Sequence, residues 1–260
     1  MITKGTNILN EHSKNRLNFD GELRQINFLE NRLYKRSEDK YYPSVTTILQ
    51  SFPKDKFFEI WMKDVGHNAD LIMRRAGEEG TQVHQAITDL LEGKEIEWMD
   101  DFGNARFSLV VWEMIIKFID FWHQCNPTVL VQEQFLYSDK YEYAGTLDLV
   151  CKINDKTWLI DFKTSNSLHR SYDLQVAAYV SAWEELGGEK IDKAGILWLK
   201  SAKRGISKQK DKIQGDGWEL KVIDDLDICM ESFINVRKLY EFSNPSVEPI
   251  YKKYPTVLKL

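Results

Sequence analysis

Residues Tyr143 to Thr164 read YAGTLDLVCKINDKTWLIDFKT. Two runs rich in β-branched and aromatic residues flank the polar pair Asn154-Asp155, so the stretch predicts an antiparallel hairpin with those two residues as its turn. Ile153 then faces Lys156, and stepping back along both strands sets Asp148 directly opposite Asp161. Alternation places Thr146, Asp148 and Val150 on one face with Leu159, Asp161 and Lys163, while Trp158, Ile160 and Phe162 take the other. Two carboxylates and an amine share one patch.

Like charges opposed across such a pair, roughly 4.5–5.5 Å apart at Cβ, destabilise a sheet. Both acids also lie among Leu, Ile, Val and Phe, where an unpaired, desolvated carboxylate costs on the order of several kcal/mol. A positive charge between them resolves the conflict. Lys163 is one source and a divalent cation is another, because hard carboxylate oxygens suit Mg²⁺ or Mn²⁺. The plain alternative is a solvated sheet face carrying an ordinary Asp-Lys pair.

Outward from the hairpin, Thr128 to Tyr137 predicts a strand with Val129, Val131, Glu133, Phe135 and Tyr137 on one face, Glu133 being the polar exception. Ser171 to Leu186 predicts a helix closed by Gly187-Gly188, with Leu174, Ala177, Ala178 and Val180 inward and Gln175 and Tyr179 together at spacing four. Ala194 to Leu199 reads as a strand that Trp218 to Ile223 pairs with. Asp225 to Phe242 reads as an amphipathic helix with Ile228, Phe233, Val236 and Leu239 on its apolar side, and Asn244 to Leu260 as a surface tail.

On the N-terminal side, residues up to about 25 read as an irregular arm or short helix, and Gln25 to Tyr34 as one strand. Tyr41 to Pro43 is extended, and Ser44 caps a short helix. Lys56 to Lys63 is helical, with Phe57, Phe58, Ile60 and Trp61 expected on its buried side. A long helix from Ala69 to Gly93 carries the stripe Val83, Ala86, Ile87, Leu90 and Leu91. His84 borders that stripe one turn after Gly80, a glycine that suggests a close neighbour; a histidine so placed is, by itself, more often a packed or surface residue than a ligand. Ala105 to Gln124 is an apolar helix of the core.

The 260 residues, 43% hydrophobic and 12% aromatic, suffice for a packed core. No apolar run reaches the length of a membrane span, and the N-terminus MITKGTNILNEHSKNR lacks a signal-peptide core, so the expected compartment is the cytoplasm. Three scattered cysteines, Cys125, Cys151 and Cys229, form neither a disulfide framework nor a zinc or iron–sulfur spacing. The net charge of −5 hides one basic stretch, Lys200, Lys203, Arg204, Lys208, Lys210 and Lys212, which is either a solvated loop or a phosphate-contacting one. The expected fold is α/β, a mixed central sheet flanked by helices. The chain reads as a single domain: a mainly helical front over 1–125, an αβ core over 126–200, and a basic loop, strand, helix and tail over 201–260.

Gly80-Thr81-Gln82-Val83-His84, Glu133, Gly145-Thr146-Leu147-Asp148, Asp161-Phe162-Lys163 and Gln175 through Tyr179 occur in an order that resembles the RecB-like branch of the PD-(D/E)xK nuclease superfamily. The run Pro43-Ser44-Val45-Thr46-Thr47-Ile48-Leu49 further resembles the group containing the mitochondrial genome maintenance exonuclease and related phage exonucleases. The resemblance covers residues 43 to 180 and implies a restriction-endonuclease-like core. It implies that Asp148, Asp161, the Phe162 carbonyl and His84 hold Mg²⁺ or Mn²⁺, that Lys163 orients and helps deprotonate an attacking water, and that Gln175 and Tyr179 steady Lys163 or a scissile phosphate. Glu133 either completes the site or pairs with a basic neighbour.

The expectation is therefore a metal-dependent DNA exonuclease acting on single-stranded DNA or DNA ends in replication, recombination or repair, with a replication or recombination protein as partner. The resemblance also allows a phage-encoded protein acting in a bacterial host. Lys200, Lys203, Arg204 and Lys208 are candidate DNA contacts, and Phe57, Phe58 and Trp61 are either core residues or stacking platforms for bases. The alternatives are a structure-specific endonuclease on the same fold, or a catalytically silent DNA-binding recombination factor. Without a Walker A motif, any ATP-driven helicase must be a separate chain.

Overall fold

The Asn154-Asp155 turn folds as read, with both residues at positive φ (50° and 60°), the conformation of a type I′ turn that matches strand twist. In this computed structural model, which describes residues 23–28, 31–201, 217–249, 253–255 and 257–259, the turn joins β5 (Tyr143–Ile153) to β6 (Lys156–Lys163). Ile153 pairs with Lys156, and the register runs back to Leu149 opposite Ile160.

These strands are the middle of a five-stranded sheet in which β4 (Thr128–Ser138), β5, β6, β7 (Lys193–Leu199) and β8 (Trp218–Val222) are neighbours in that order. Only the β6–β7 pair is parallel. A parallel pair requires a crossover, and α5 (Arg170–Glu185) supplies it. The sheet is thus mixed and its architecture α/β, as expected.

Both faces of the sheet are covered. On one, α3 (Ala69–Leu91) and α4 (Leu109–Cys125) pack Val83, Ile87, Met114 and Phe118 against Leu149, Cys151, Ile160 and Phe162. On the other, α5 and α6 (Leu226–Ser243) pack Val176, Val180, Phe233 and Val236 against Val150, Leu159 and Ile196, joined by α1 (Val45–Ile48). Ser44 caps α1 by accepting from the Thr47 amide at 2.9 Å, which satisfies an otherwise orphaned helix donor.

Several expectations fail for physical reasons. Gln25 to Tyr34 is two strands, β1 (Arg24–Phe28) and β2 (Asn31–Lys35), and with β3 (Tyr41–Pro43) they form an antiparallel sheet. The front is therefore not only helical. The helix α2 (Lys56–Val65) exists but buries none of its residues fully: Phe57 is 81% exposed and Ile60 is exposed, while Phe58 and Trp61 are half-buried. The apolar core helix begins at Leu109, capped by Ser108, rather than at Ala105.

On α6, Phe233 and Val236 are buried, but Ile228 and Leu239 are exposed, and Arg237 and Tyr240 take the inward places instead. Residues 1–22, most of the basic stretch and parts of the tail lie outside the described residues. No described helix is long and apolar enough to cross a membrane.

Candidate metal centre

The β5–β6 ladder stops one step before Asp148 and Asp161 would pair. There the strands part, and a side chain replaces the missing ladder bond. Asp148 Oδ2 accepts the Phe162 main-chain amide at 2.6 Å, a charge-assisted bond that satisfies a donor left without its strand partner. Asp148 is 8% exposed and Asp161 1% exposed, so both acids are buried.

His84 arrives from α3, with Nδ1 3.3 Å from Asp148 Oδ1. Gly80 explains how the helix comes so near. A Cβ there would lie 3.0 Å from Thr164 Oγ1, so α3 passes tightly over the end of β6 one turn before His84. The close neighbour suggested by the glycine is Thr164.

Opposite Asp148, β4 is irregular. Its register shifts between Val129 and Val131, and Glu133 has φ 47° inside the strand. Left-handed backbone is costly for a residue with a Cβ. The irregularity breaks the expected alternation: Val131 and Leu136, of opposite parity, join the same core, while Val129 packs on the other. Glu133 keeps a solvent-exposed side chain, and one ligand atom each from His84, Glu133 and Asp148 lies within 4.8 Å of the others. Asp161 falls outside that set and has different partners.

Those partners are Lys163 and Gln175. The Lys163 ammonium contacts Asp161 Oδ2, and the Gln175 amide donates to Asp161 Oδ1 at 3.1 Å. Asp161 Oδ2, although touched by the ammonium, receives no well-directed hydrogen bond. Gln175 also donates to the Tyr179 hydroxyl at 3.1 Å. The Tyr179 ring fills the space over Gly145, where a Cβ would meet Cε1 at 2.5 Å. Gln175 and Tyr179 thus do stand beside the acids, with Gln175 holding Asp161 rather than Lys163.

Charge is finely opposed here. Burial works against the His84 imidazolium, but Asp148 prevails and raises its pKa to about 9. Burial likewise opposes ionisation of Asp148, yet His84 and Lys163 hold its carboxyl below the usual range. For Asp161 burial wins over Lys163 and, helped by the negative charge of Asp148, lifts the pKa to about 6. Glu133 is open to solvent on one side, and desolvation on the side that faces the site, followed by Asp148, raises its pKa to about 7. Lys163 loses by burial but gains more from Asp161 and Asp148, and ends above the ordinary lysine value.

The donor set fits a hard divalent ion: an imidazole nitrogen, two carboxylates within reach of it, and beside them the buried Asp161, whose Oδ2 is held by the Lys163 ammonium. His84, Asp148 and Glu133 are the residues brought together, with Asp161 adjoining. Phe162 contributes its amide to Asp148, and its ring packs 5.8 Å from His84.

Two contacts were not anticipated. Tyr172 lies under the Lys163 ammonium at 4.9 Å, and Tyr34 of β2 is 3.0 Å from Thr146 Oγ1. The Gln175 and Tyr179 spacing gave no reason to look three residues further back, and nothing local ties Tyr34 to a strand more than a hundred positions away.

Of the basic stretch, Lys200 pairs with Glu219 at 2.8 Å and covers the Trp198 ring. Lys203, Arg204, Lys208, Lys210 and Lys212 lie outside the described residues.

No known family matches the chain, and no curated protein does. Among solved structures, that of a protein from Eubacterium rectale provisionally named an exonuclease is similar with a TM-score of 0.43 and 14% identity, covering 84% of this chain and 90% of that one. The structure of SSO0001 gives 0.28 and 14%, covering 54% and 62%. Likenesses this distant assign no function.

Proposed function

We propose that this chain is a divalent-metal-dependent deoxyribonuclease of the PD-(D/E)xK superfamily, RecB-like branch, which hydrolyses phosphodiester bonds of single-stranded DNA or of DNA ends. The observation that carries the reading is the convergence of His84, Asp148, Asp161 and Lys163 where β5 and β6 separate, with Gln175 fixing Asp161 from the opposite helix layer.

His84 and Asp148, with Glu133 or Asp161, would hold Mg²⁺ or Mn²⁺. Bound there, the ion would supply what phosphodiester hydrolysis lacks at neutral pH, a more acidic water and neutralisation of phosphoryl charge. Lys163 is an ammonium with a raised pKa, held between Asp161 and the Tyr172 ring. That state suits it to orient water and to neutralise charge at the phosphate, more than to abstract a proton. Gln175 keeps Asp161 in one rotamer, and Tyr179 keeps Gln175 in place.

Lys200, Lys203, Arg204 and Lys208 remain candidate strand contacts, and a replication or recombination protein a candidate partner. The test is degradation of labelled DNA by purified protein with Mg²⁺ or Mn²⁺, comparing wild type with Asp148→Asn on linear single strands, linear duplexes and circles. Metal-dependent loss of linear DNA with intact circles supports an exonuclease, and cut circles support an endonuclease. If wild type degrades none of them, or Asp148→Asn degrades them equally well, the reading falls.

A further inference from the structure

The acid cluster repels the polyanion it is proposed to cut, so the strand needs a cation of the protein's own close by. The N-terminal sheet supplies one. Arg32 lies in β2, on the same face as Tyr34 and about 7 Å along the strand from it. Tyr34 is fully buried, packs edge-on to Phe135 at 5.9 Å and meets Thr146 at 3.0 Å.

Strand direction decides where Arg32 falls. β2 is antiparallel to β3, and Ser44, just after β3, bridges in parallel to Ala144 of β5. Stepping from Tyr34 back to Arg32 therefore advances along β5 from Thr146 toward Asp148, the strand step opposite Glu133.

The backbone of Arg32 is held with unusual thoroughness for a residue whose side chain is exposed. Its amide donates to Thr47 Oγ1 at 3.2 Å, and its carbonyl accepts from Thr47 Oγ1 at 3.1 Å and from the Ser44 amide at 3.0 Å. Ser44 Oγ donates in turn to Thr47 Oγ1 at 2.8 Å, and both residues are buried. A buried hydroxyl network fixes the origin of a solvent-facing guanidinium at the rim of the metal centre.

We propose that Arg32 is a substrate-positioning residue whose guanidinium binds a backbone phosphate of the DNA strand beside the His84, Glu133 and Asp148 cluster. This rests on the nuclease reading above and gives the three-stranded sheet a role in that site. Guanidinium donors suit phosphate oxygens in a way a point-charge ammonium does not.

The test measures strand binding apart from cleavage. Fluorescence anisotropy of a short labelled oligodeoxythymidine is followed in Ca²⁺ across a salt series, for wild type, Arg32→Gln, Arg32→Lys and Thr47→Val. Arg32→Gln is expected to weaken binding about tenfold and to lower the slope of log affinity against log salt by about 0.7, the contribution of one phosphate contact on a single strand. Arg32→Lys should keep the slope and recover only part of the affinity, and Thr47→Val should weaken binding in the same direction. With Mg²⁺, Arg32→Gln should raise KM far more than it lowers kcat, while Mn²⁺ affinity measured by calorimetry stays at the wild-type value.

If Arg32→Gln binds DNA with unchanged affinity and slope while Asp148→Asn abolishes cleavage, the inference is overturned and the nuclease reading stands. If wild type binds DNA through Arg32 but cleaves nothing, the inference stands and the hydrolytic reading falls.

Discussion

His84 Nδ1 lies 3.3 Å from Asp148 Oδ1, so α3 and β5 are joined by an ion pair as well as by the apolar contacts between their layers. In the metal-free protein that pair keeps the imidazole protonated up to about pH 9. A divalent ion requires the neutral ring, so binding must displace a proton. Calorimetric titration of Mn²⁺ at pH 7.5 in buffers of different ionisation enthalpy should register the release of about one proton, and affinity should rise from pH 6.5 to 9. Both effects should be smaller in His84→Ala, where only the raised carboxyls of Glu133 and Asp161 remain to release protons.

The same groups set the stability of the metal-free chain. The His84 pKa is raised from 6.5 to about 9, so its contribution is full below pH 6.5 and is lost as pH rises through 9. Glu133 and Asp161, raised to about 7 and about 6, also bind protons more tightly folded than unfolded, and so add to the loss, Asp161 from pH 3.8 to about 6 and Glu133 from pH 4.5 to about 7. Asp148 is lowered and titrates below this window. Melting in a chelator should fall by a few degrees between pH 5 and pH 9, and added Mn²⁺ should stabilise more at pH 8 than at pH 6. Differential scanning calorimetry checks both.

Lys163 is the partner of a buried carboxylate, so its removal has two separable consequences. Under the proposed function, Lys163→Ala should cut cleavage by roughly 10²-fold or more, because the ammonium assigned there to the phosphate is gone. It should also destabilise the metal-free fold by about 3–5 kcal/mol near neutral pH, since Asp161 is left without its cation. Lowering the pH toward 5, where Asp161 can protonate, should restore part of that stability. Chemical denaturation at two pH values and a single-turnover cleavage assay distinguish the two.

Gly145 has no room for a methyl group, because Tyr179 Cε1 would lie 2.5 Å away. Gly145→Ala should cost about 1–3 kcal/mol of stability and should displace the hydroxyl that holds Gln175. Tyr179→Leu leaves space for the methyl, so adding Gly145→Ala to that background should cost much less than in wild type. A double-mutant cycle by urea denaturation measures the difference.

The central hairpin was legible because its information is local. A two-residue turn and alternation determine the register from Ile153 opposite Lys156 to Leu149 opposite Ile160, and it ends before the expected Asp148–Asp161 pair, where the strands part. Gln175 and Tyr179 were legible for the same reason, being one helical turn apart. The bend at Glu133 was not, since a left-handed residue within a strand has no signature in a run of Val, Gln and Glu. Nor was the exposure of Phe57, Ile228 and Leu239. Periodicity reports which residues align on a helix, not whether another element arrives to cover them. Arg32 escaped notice because its position depends on how the first sheet docks, a relationship carried by Ser44, Thr47 and Tyr34 rather than by its neighbours in sequence.

His84 comes from the layer on one side of the central sheet, and Gln175 and Tyr179 come from the layer on the other. A half-assembled chain, with only one layer docked, brings Asp148 and Asp161 together without the groups that complete their surroundings. The candidate site is therefore complete only with both layers in place, which ties its full set of side chains to the finished architecture.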